Sequence, residues 1–321
     1  MGHLLTEEAQ NPTRVKELPL WEKVLQEPEP LLGARQLDPA RDTLGSATSL
    51  SWTLSTEQTT PLLTRVPSLY FCGVNDVLLT GLALAFGQWR SSRGADGDRS
   101  LLVDLEGHGR QDITDDVELS RTAGWFTNIY PARLDLGPVG TEARELDGHL
   151  ADEALKLVKE QLRTLPDNGI GYGLLRHLNP HTGADLAQLP QPQIAFNYLG
   201  RFSAPQAEDW GMAAENDALE GAGDQRMPLL HALGVNAITH DHADGPQLTI
   251  TCTWSRELLT EGDVRELGDA WIAELNTLAE HADDPEAGGR TPSDMSLLEL
   301  SQSEIDEFED ELDFVYGEDH L

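Results

Sequence analysis

Basic residues, cysteines and long apolar runs are all scarce in this sequence. Its 321 residues hold 22 Lys and Arg against 56 Asp and Glu, a formal net charge of −34. So anionic a chain repels nucleic acid and anionic lipid at long range, which argues against both as partners. The sequence has no apolar run long enough for a membrane-spanning helix. Its first residues, MGHLLTEE, lack a basic flank and an extended apolar core, so no secretory leader is expected. The cysteines, Cys72 and Cys252, make no disulfide framework and no metal-ligand spacing, and they fit a reduced, cytoplasmic setting. None of the ten histidines stands next to another.

What is present is enough for a folded core: 39% of residues are hydrophobic. Proline-punctuated sequence through 27–39 reads as a linker. A strand is expected over 48–54, and a helix beginning at 55–57 that Pro67 ends. Leu78, Leu82, Phe86 and Trp89 recur at helical spacing and predict a helix over 75–89. A short apolar strand at 101–105 delivers Glu106. Further helices are expected at 142–163 and, capped by Thr260, up to His281 with Val264, Leu267, Trp271, Leu275 and Leu278 as its buried stripe. A strand is expected at 193–199, an exposed loop at 203–225, and a hairpin from 231–239 and 247–254. In its second arm Leu248, Ile250, Cys252 and Trp254 alternate with threonines. After 285 the chain becomes acidic, with no Lys or Arg beyond Arg290. There Ile305, Phe308, Leu312 and Val315 are spaced for a short amphipathic helix that docks on a partner, or for a frayed terminus.

Several residues could carry chemistry. Glu106 follows an apolar strand and precedes Gly107-His108-Gly109-Arg110. A carboxylate at a strand end in a shielded cleft suits proton transfer, and the glycines let backbone approach a substrate. Arg110 can pair with Glu106 or with a phosphate; a plain strand-end salt bridge is the alternative. Positions 106 and 108 share one side of an extended segment, so His108 is either a local partner of Glu106 or a packed histidine. Asn197 and Tyr198 face opposite ways on their strand, one toward a cleft and one toward the core. Asn197 is suited to hold a carbonyl or enolate, and Tyr198 to offer a phenol. Gly169-Ile170-Gly171-Tyr172-Gly173 lacks phosphate-loop spacing and the Lys-Ser/Thr pair, which excludes nucleotide binding there. His240-Asp241-His242-Ala243-Asp244-Gly245 has a His-x-x-x-Asp-Gly spacing and possible metal donors. It falls between strands, however, where Asp-Gly marks a hairpin turn, so a solvated turn is the leading reading.

In order along the chain, Asn75-Asp76-Val77-Leu78-Leu79-Thr80, Glu106-Gly107-His108-Gly109-Arg110, Gly124-Trp125-Phe126-Thr127, Gly171-Tyr172-Gly173 and Phe196-Asn197-Tyr198-Leu199-Gly200 resemble the motifs of the epimerization domains of nonribosomal peptide synthetases, in the condensation-domain superfamily. The resemblance runs from about Leu18 to Leu300. It implies an α+β fold, an α/β two-layer sandwich with a central mixed sheet flanked by helices, like one lobe of chloramphenicol acetyltransferase. It implies residues 1–50 as a remnant of a first lobe and a linker, 51–285 as the second lobe, and 286–321 as an acidic tail. It implies conversion of an L-aminoacyl or peptidyl residue to D on a phosphopantetheine thioester held by a peptidyl carrier protein, with no cofactor of the domain's own and no metal. Glu106, Asn197 and Tyr198 become the catalytic residues, and His108, Arg110, Asp76, Trp125 and Tyr172 the substrate-binding or supporting ones. The family's His-His-x-x-x-Asp-Gly motif has no counterpart here. The chain is therefore expected to be a C-terminal portion whose partner is the missing N-terminal lobe, with a downstream synthetase as a partner of the acidic tail. A docking module without catalysis and a CoA-dependent acyltransferase using His240 or His108 are the rival readings.

Overall fold

The computed structural model describes residues 2–94, 100–108, 119, 121–124, 126–137, 148–203, 224–285, 287–295, 297–298 and 300–308. Three short helices open the chain: α1 (Gly2–Glu8), α2 (Pro12–Val15) and α3 (Leu18–Leu25). Then come β1 (Ala47–Thr53), α4 (Thr56–Leu63), α5 (Arg65–Leu69), α6 (Val74–Ser91), β2 (Ser100–His108), β3 (Thr127–Asp135) and α7 (Gly148–Arg163). After α8 (Ile170–Gly173) and α9 (Thr182–Leu186) follow β4 (Ile194–Ser203), β5 (Leu233–His242), β6 (Gly245–Ser255) and α10 (Glu261–His281). The strands form one mixed sheet in the order β1-β6-β5-β4-β2-β3. β2, β4 and β5 run parallel to their neighbours in that trio, and the remaining pairings are antiparallel.

Alternation along the strands divides their side chains between two faces. Leu101, Val103 and Leu105 of β2, Phe196 of β4 and Cys252 and Trp254 of β6 point into the main core with Leu78, Leu82 and Phe86 of α6, Val158 of α7 and Trp271 and Leu275 of α10. Helices α6 and α10 approach closely because Gly81 has no side chain: a Cβ there would lie 2.8 Å from Leu275 Cδ2. The Trp271 indole uses that proximity to donate to the Leu78 carbonyl at 3.0 Å. The expected cap of α10 is reciprocal, Asp263 N donating to Thr260 Oγ1 at 3.1 Å and Thr260 N to Asp263 Oδ2 at 3.0 Å.

The opposite face is divided. Over β2 and β3, Leu102 packs with Trp21 and Leu25 of α3, Tyr172 and Leu175, and Leu186 of α9, so the N-terminal helices belong to this sheet's packing. Over β1 and β6 the face is polar: Ser49, Ser51 and Thr53 pair with Thr253, Thr251 and Thr249 at 2.9, 2.9 and 3.1 Å. The linker is fastened by Asp42, fully buried, which accepts from both Arg35 terminal nitrogens and from Ser255 Oγ at 2.6 Å.

The expected strands and helices recur with shifted ends. β2 extends through His108, so Glu106 lies within the strand and not beyond it. Pro67 sits inside α5 and does not end a helix; the break falls at Thr64, outside the regular region at φ −126° and ψ −66°. β3 has no counterpart in the sequence reading. The strands at 231–239 and 247–254 form the expected hairpin, paired from Leu233↔Trp254 to His242↔Gly245. Most of the expected loop at 203–225 lies outside the described residues. In the tail, 302–308 is helical and Ile305 is buried, while Phe308 is 49% exposed. Leu312 and Val315 lie outside the described residues.

Candidate active site

Beyond the carboxyl ends of the parallel strands β2 and β4 lies a cavity of about 480 Å³, the place where open α/β sheets hold ligands. Leu105, Glu106 and Gly107 form one wall, and Phe196, Tyr198, Leu199 and Gly200 another. β4 slips register against β5 between Tyr198 and Arg201, where Gly200 takes φ +96°. Such bulges re-aim strand ends next to sites. Gly73, Asn75, Asp76 and Leu79 at the start of α6, Leu162 and Arg163 at the end of α7, and Leu165 and Asn168 just after it complete the enclosure with Tyr130.

Glu106 is half-buried and sits on the sheet face away from the main core. Asn197 lies beside it on the next strand, because Leu105 pairs with Phe196 in register. Its Nδ2 donates to Glu106 Oε2 at 3.0 Å. Tyr198 points the other way, packs on the main core, lines the cavity, and holds its hydroxyl 3.0 Å from Oγ1 of the fully buried Thr239. The two neighbours thus face opposite ways, as the alternation of a strand requires: Tyr198 lines the cavity from the core side, while Asn197 meets it only through its hydrogen bond to Glu106.

Asp76 is buried and lines the cavity. Its Oδ2 accepts the Gly73 amide at 2.7 Å and Arg163 Nη2 at 3.0 Å. That makes it the cap of α6 and the counter-ion of Arg163 at once. Tyr172 stands apart from the cavity lining. It packs on Trp21 with ring centroids 5.5 Å apart, and burial first, then the charge of Asp104, push its phenol up to about 12. Position 108 shares the face of 106, but the His108 side chain, Arg110 and Trp125 lie outside the described residues. His240 is exposed on β5 near the hairpin turn and is not among the cavity-lining residues.

The fold adds residues that sequence reasoning missed. His231 Nε2 lies 2.7 Å from Oδ2 of Asp104, which shares the face of Glu106 on β2. The turn at Asp167, Asn168 and Gly169 is left-handed throughout, with φ of 47°, 49° and 77°. Two non-glycine residues in that region cost on the order of 1–3 kcal/mol each. The Asp-Asn-Gly triplet was the available signal, since Asn and Asp tolerate this conformation best among residues with side chains. The Tyr130 ring packs against the turn. Its phenol is raised, by burial first and then by the charge of Asp76.

A mixed six-stranded sheet with helices on its main-core face, and a carboxylate beside a cavity at its parallel strand ends, define an α+β lobe of the acyltransferase-like type. The chain belongs to the condensation-domain family, whose model matches residues 5–300. It is 36% identical over 273 residues to a linear gramicidin synthase polypeptide of Brevibacillus parabrevis, covering 84% of this chain and 5% of that protein. It is 37% identical over 264 residues to a chondramide synthase of Chondromyces crocatus, covering 81% of this chain and 6% of that one. Among solved structures, the epimerization domain from the third module of tyrocidine synthetase B superposes with a TM-score of 0.68 at 28% identity, over 87% of this chain and 58% of that one. The X-domain from teicoplanin biosynthesis matches at a TM-score of 0.55 and 16% identity, over 87% and 57%, a likeness of fold alone. The chain thus spans about half the length of these solved domains and a small fraction of the synthases.

Proposed function

We propose that this chain is the carboxylate-bearing lobe of a nonribosomal peptide synthetase epimerization domain. Its substrate is an aminoacyl or peptidyl thioester on the phosphopantetheine of a peptidyl carrier protein; the arm arrives with that partner, and the lobe needs no cofactor of its own. The observation that carries the reading is Glu106, held by Asn197 at 3.0 Å at the wall of a cavity that opens where β2 and β4 end.

In this reading the Glu106 carboxylate takes the α-proton, and the C–H electron pair passes into the thioester carbonyl to give an enolate. A proton returned to the opposite face by the second acid/base group completes the inversion; Glu106 then loses its proton to solvent and the second group regains one, which restores the starting protonation. That second acid/base group comes from a lobe carrying His-His-x-x-x-Asp-Gly, a motif these 321 residues do not contain. Asn197 fixes the carboxylate's direction, and Tyr198, braced by Thr239, shapes the opposite wall. The acidic tail is a docking element for a downstream synthetase.

The test supplies the N-terminal lobe in trans and follows L-to-D conversion and solvent-deuterium incorporation at the α-carbon. The isolated chain is expected to be inactive and the reconstituted pair active. Glu106→Gln is expected to lower exchange by about 10²-fold or more. Unchanged exchange in Glu106→Gln refutes the reading.

A further inference from the structure

The left-handed turn at Asp167–Gly169 is held from every side. Asp167 Oδ2 accepts Arg14 Nη1 at 2.7 Å, and Arg14 is itself gripped by Glu8 at 3.1 Å and Glu17 at 2.7 Å. The Asn168 carbonyl accepts Asn128 Nδ2 at 2.6 Å. A Cβ on Gly169 would run into the Tyr130 ring. Runs of left-handed residues persist only where the surroundings over-determine them, and such strain concentrates at ligand clamps.

The turn is also referenced to the strand that bears Glu106. Asn128 pairs with Gly107 across β2 and β3, and its carboxamide fills the space that a Cβ at 107 would take. Asn168 is therefore tied through a single side chain to the residue after Glu106. Its backbone oxygen is satisfied, while the residue is exposed and lines the same cavity as Glu106, Tyr130 and Tyr198. A carboxamide offers a donor and an acceptor side by side, the complement of an amide in an extended chain.

We propose that Asn168 is a substrate-contacting specificity residue whose carboxamide hydrogen-bonds an amide of the pantetheine arm lying in this cavity. The assignment rests on the function proposed above. It separates arm recognition, at Asn168, from proton transfer, at Glu106.

The test is calorimetric titration of the full chain with two unreactive probes. One is N-acetylalanyl aminopantetheine, with an amide in place of the thioester; the other is N-acetylalanine ethylamide, which lacks the arm's amides. Asn168→Gly is expected to weaken the long probe about 5- to 10-fold and leave the short probe unchanged. Its Tm should not fall, because glycine adopts the left-handed conformation without strain. Equal loss of both probes, or an unchanged long-probe Kd in Asn168→Gly, overturns the Asn168 assignment and leaves the function standing. A wild-type chain that binds neither probe overturns this contact, whereas the function stands or falls on the Glu106→Gln exchange measurement.

Discussion

A carboxylate and a carboxamide 3.0 Å apart on neighbouring parallel strands make a pair whose chemistry is set by one atom. Replacing the Asn197 nitrogen by oxygen, in Asn197→Asp, removes the donor and puts a second carboxylate beside Glu106. Like charges at that distance cannot both ionise easily, so the proton-accepting form of Glu106 appears only at higher pH. In the reconstituted domain the acid limb of the exchange rate, where the rate climbs with pH, is expected to move upward in pH, by about one unit or more. Asn197→Ala should lower the rate without that displacement. A pH–rate profile of deuterium incorporation distinguishes the two. At this scale the residue types were legible in the motifs, but their meetings were not. Asn197 touches Glu106 because β4 happens to be the parallel neighbour of β2. Asn128 and Asn168 meet across forty positions through the packing of a turn on β3, and Asp104 and His231 across a still longer separation.

Helices α6 and α10 carry an unusual load between them. Glu274 is 4% exposed; its Oε1 accepts Gln88 Nε2 at 2.8 Å, while Oε2 has no hydrogen-bond partner among the described residues. Burial pushes its carboxyl up to about 7 from an ordinary 4.5, despite the opposing Gln88 hydrogen bond. The native state therefore keeps a proton that the unfolded chain releases near pH 4.5. Native stability falls as pH rises from 4.5 to about 7, by roughly 3 kcal/mol at ~1.36 kcal/mol per pH unit. Glu274→Gln is expected to match the wild type near pH 4.5 and to exceed it at pH 8, read as urea midpoints at the two pH values. The periodicity that located α10 says nothing of this. Its stripe of Val264, Leu267, Trp271, Leu275 and Leu278 was legible, and Glu274 looks on paper like an ordinary polar position beside that stripe. It is buried where α10 packs against α6, facing Gln88.

Over the whole molecule, the C-terminal segment is clasped to the lobe by a charge. Lys159 of α7 is fully buried, donating to the Tyr70 carbonyl at 2.8 Å and to Asp294 Oδ2. Burial alone would raise the Asp294 carboxyl, but the Lys159 ammonium and the Thr291 amide hold it below the usual carboxylate range. Lys159→Ala leaves that carboxylate unpaired in a confined site, and the expected loss is about 3–5 kcal/mol in urea unfolding. Lys159→Met with Asp294→Asn should recover most of it, since no unpaired charge remains. A double mutant no more stable than the single one contradicts this account.

Local pattern was enough to settle most of the sheet-and-helix composition of this protein, the buried stripe of α10 and the order of its motifs, because those are local periodicities and local turn chemistry. It did not disclose β3, whose partner β2 lies well upstream, nor the packing of α3 onto the far face of the sheet. Which residues border Glu106 was decided in three dimensions. Side chains from β2, β3, β4, α6 and the turn after α7 converge there through strand register and helix contact, and those are relations between distant segments that no local pattern encodes.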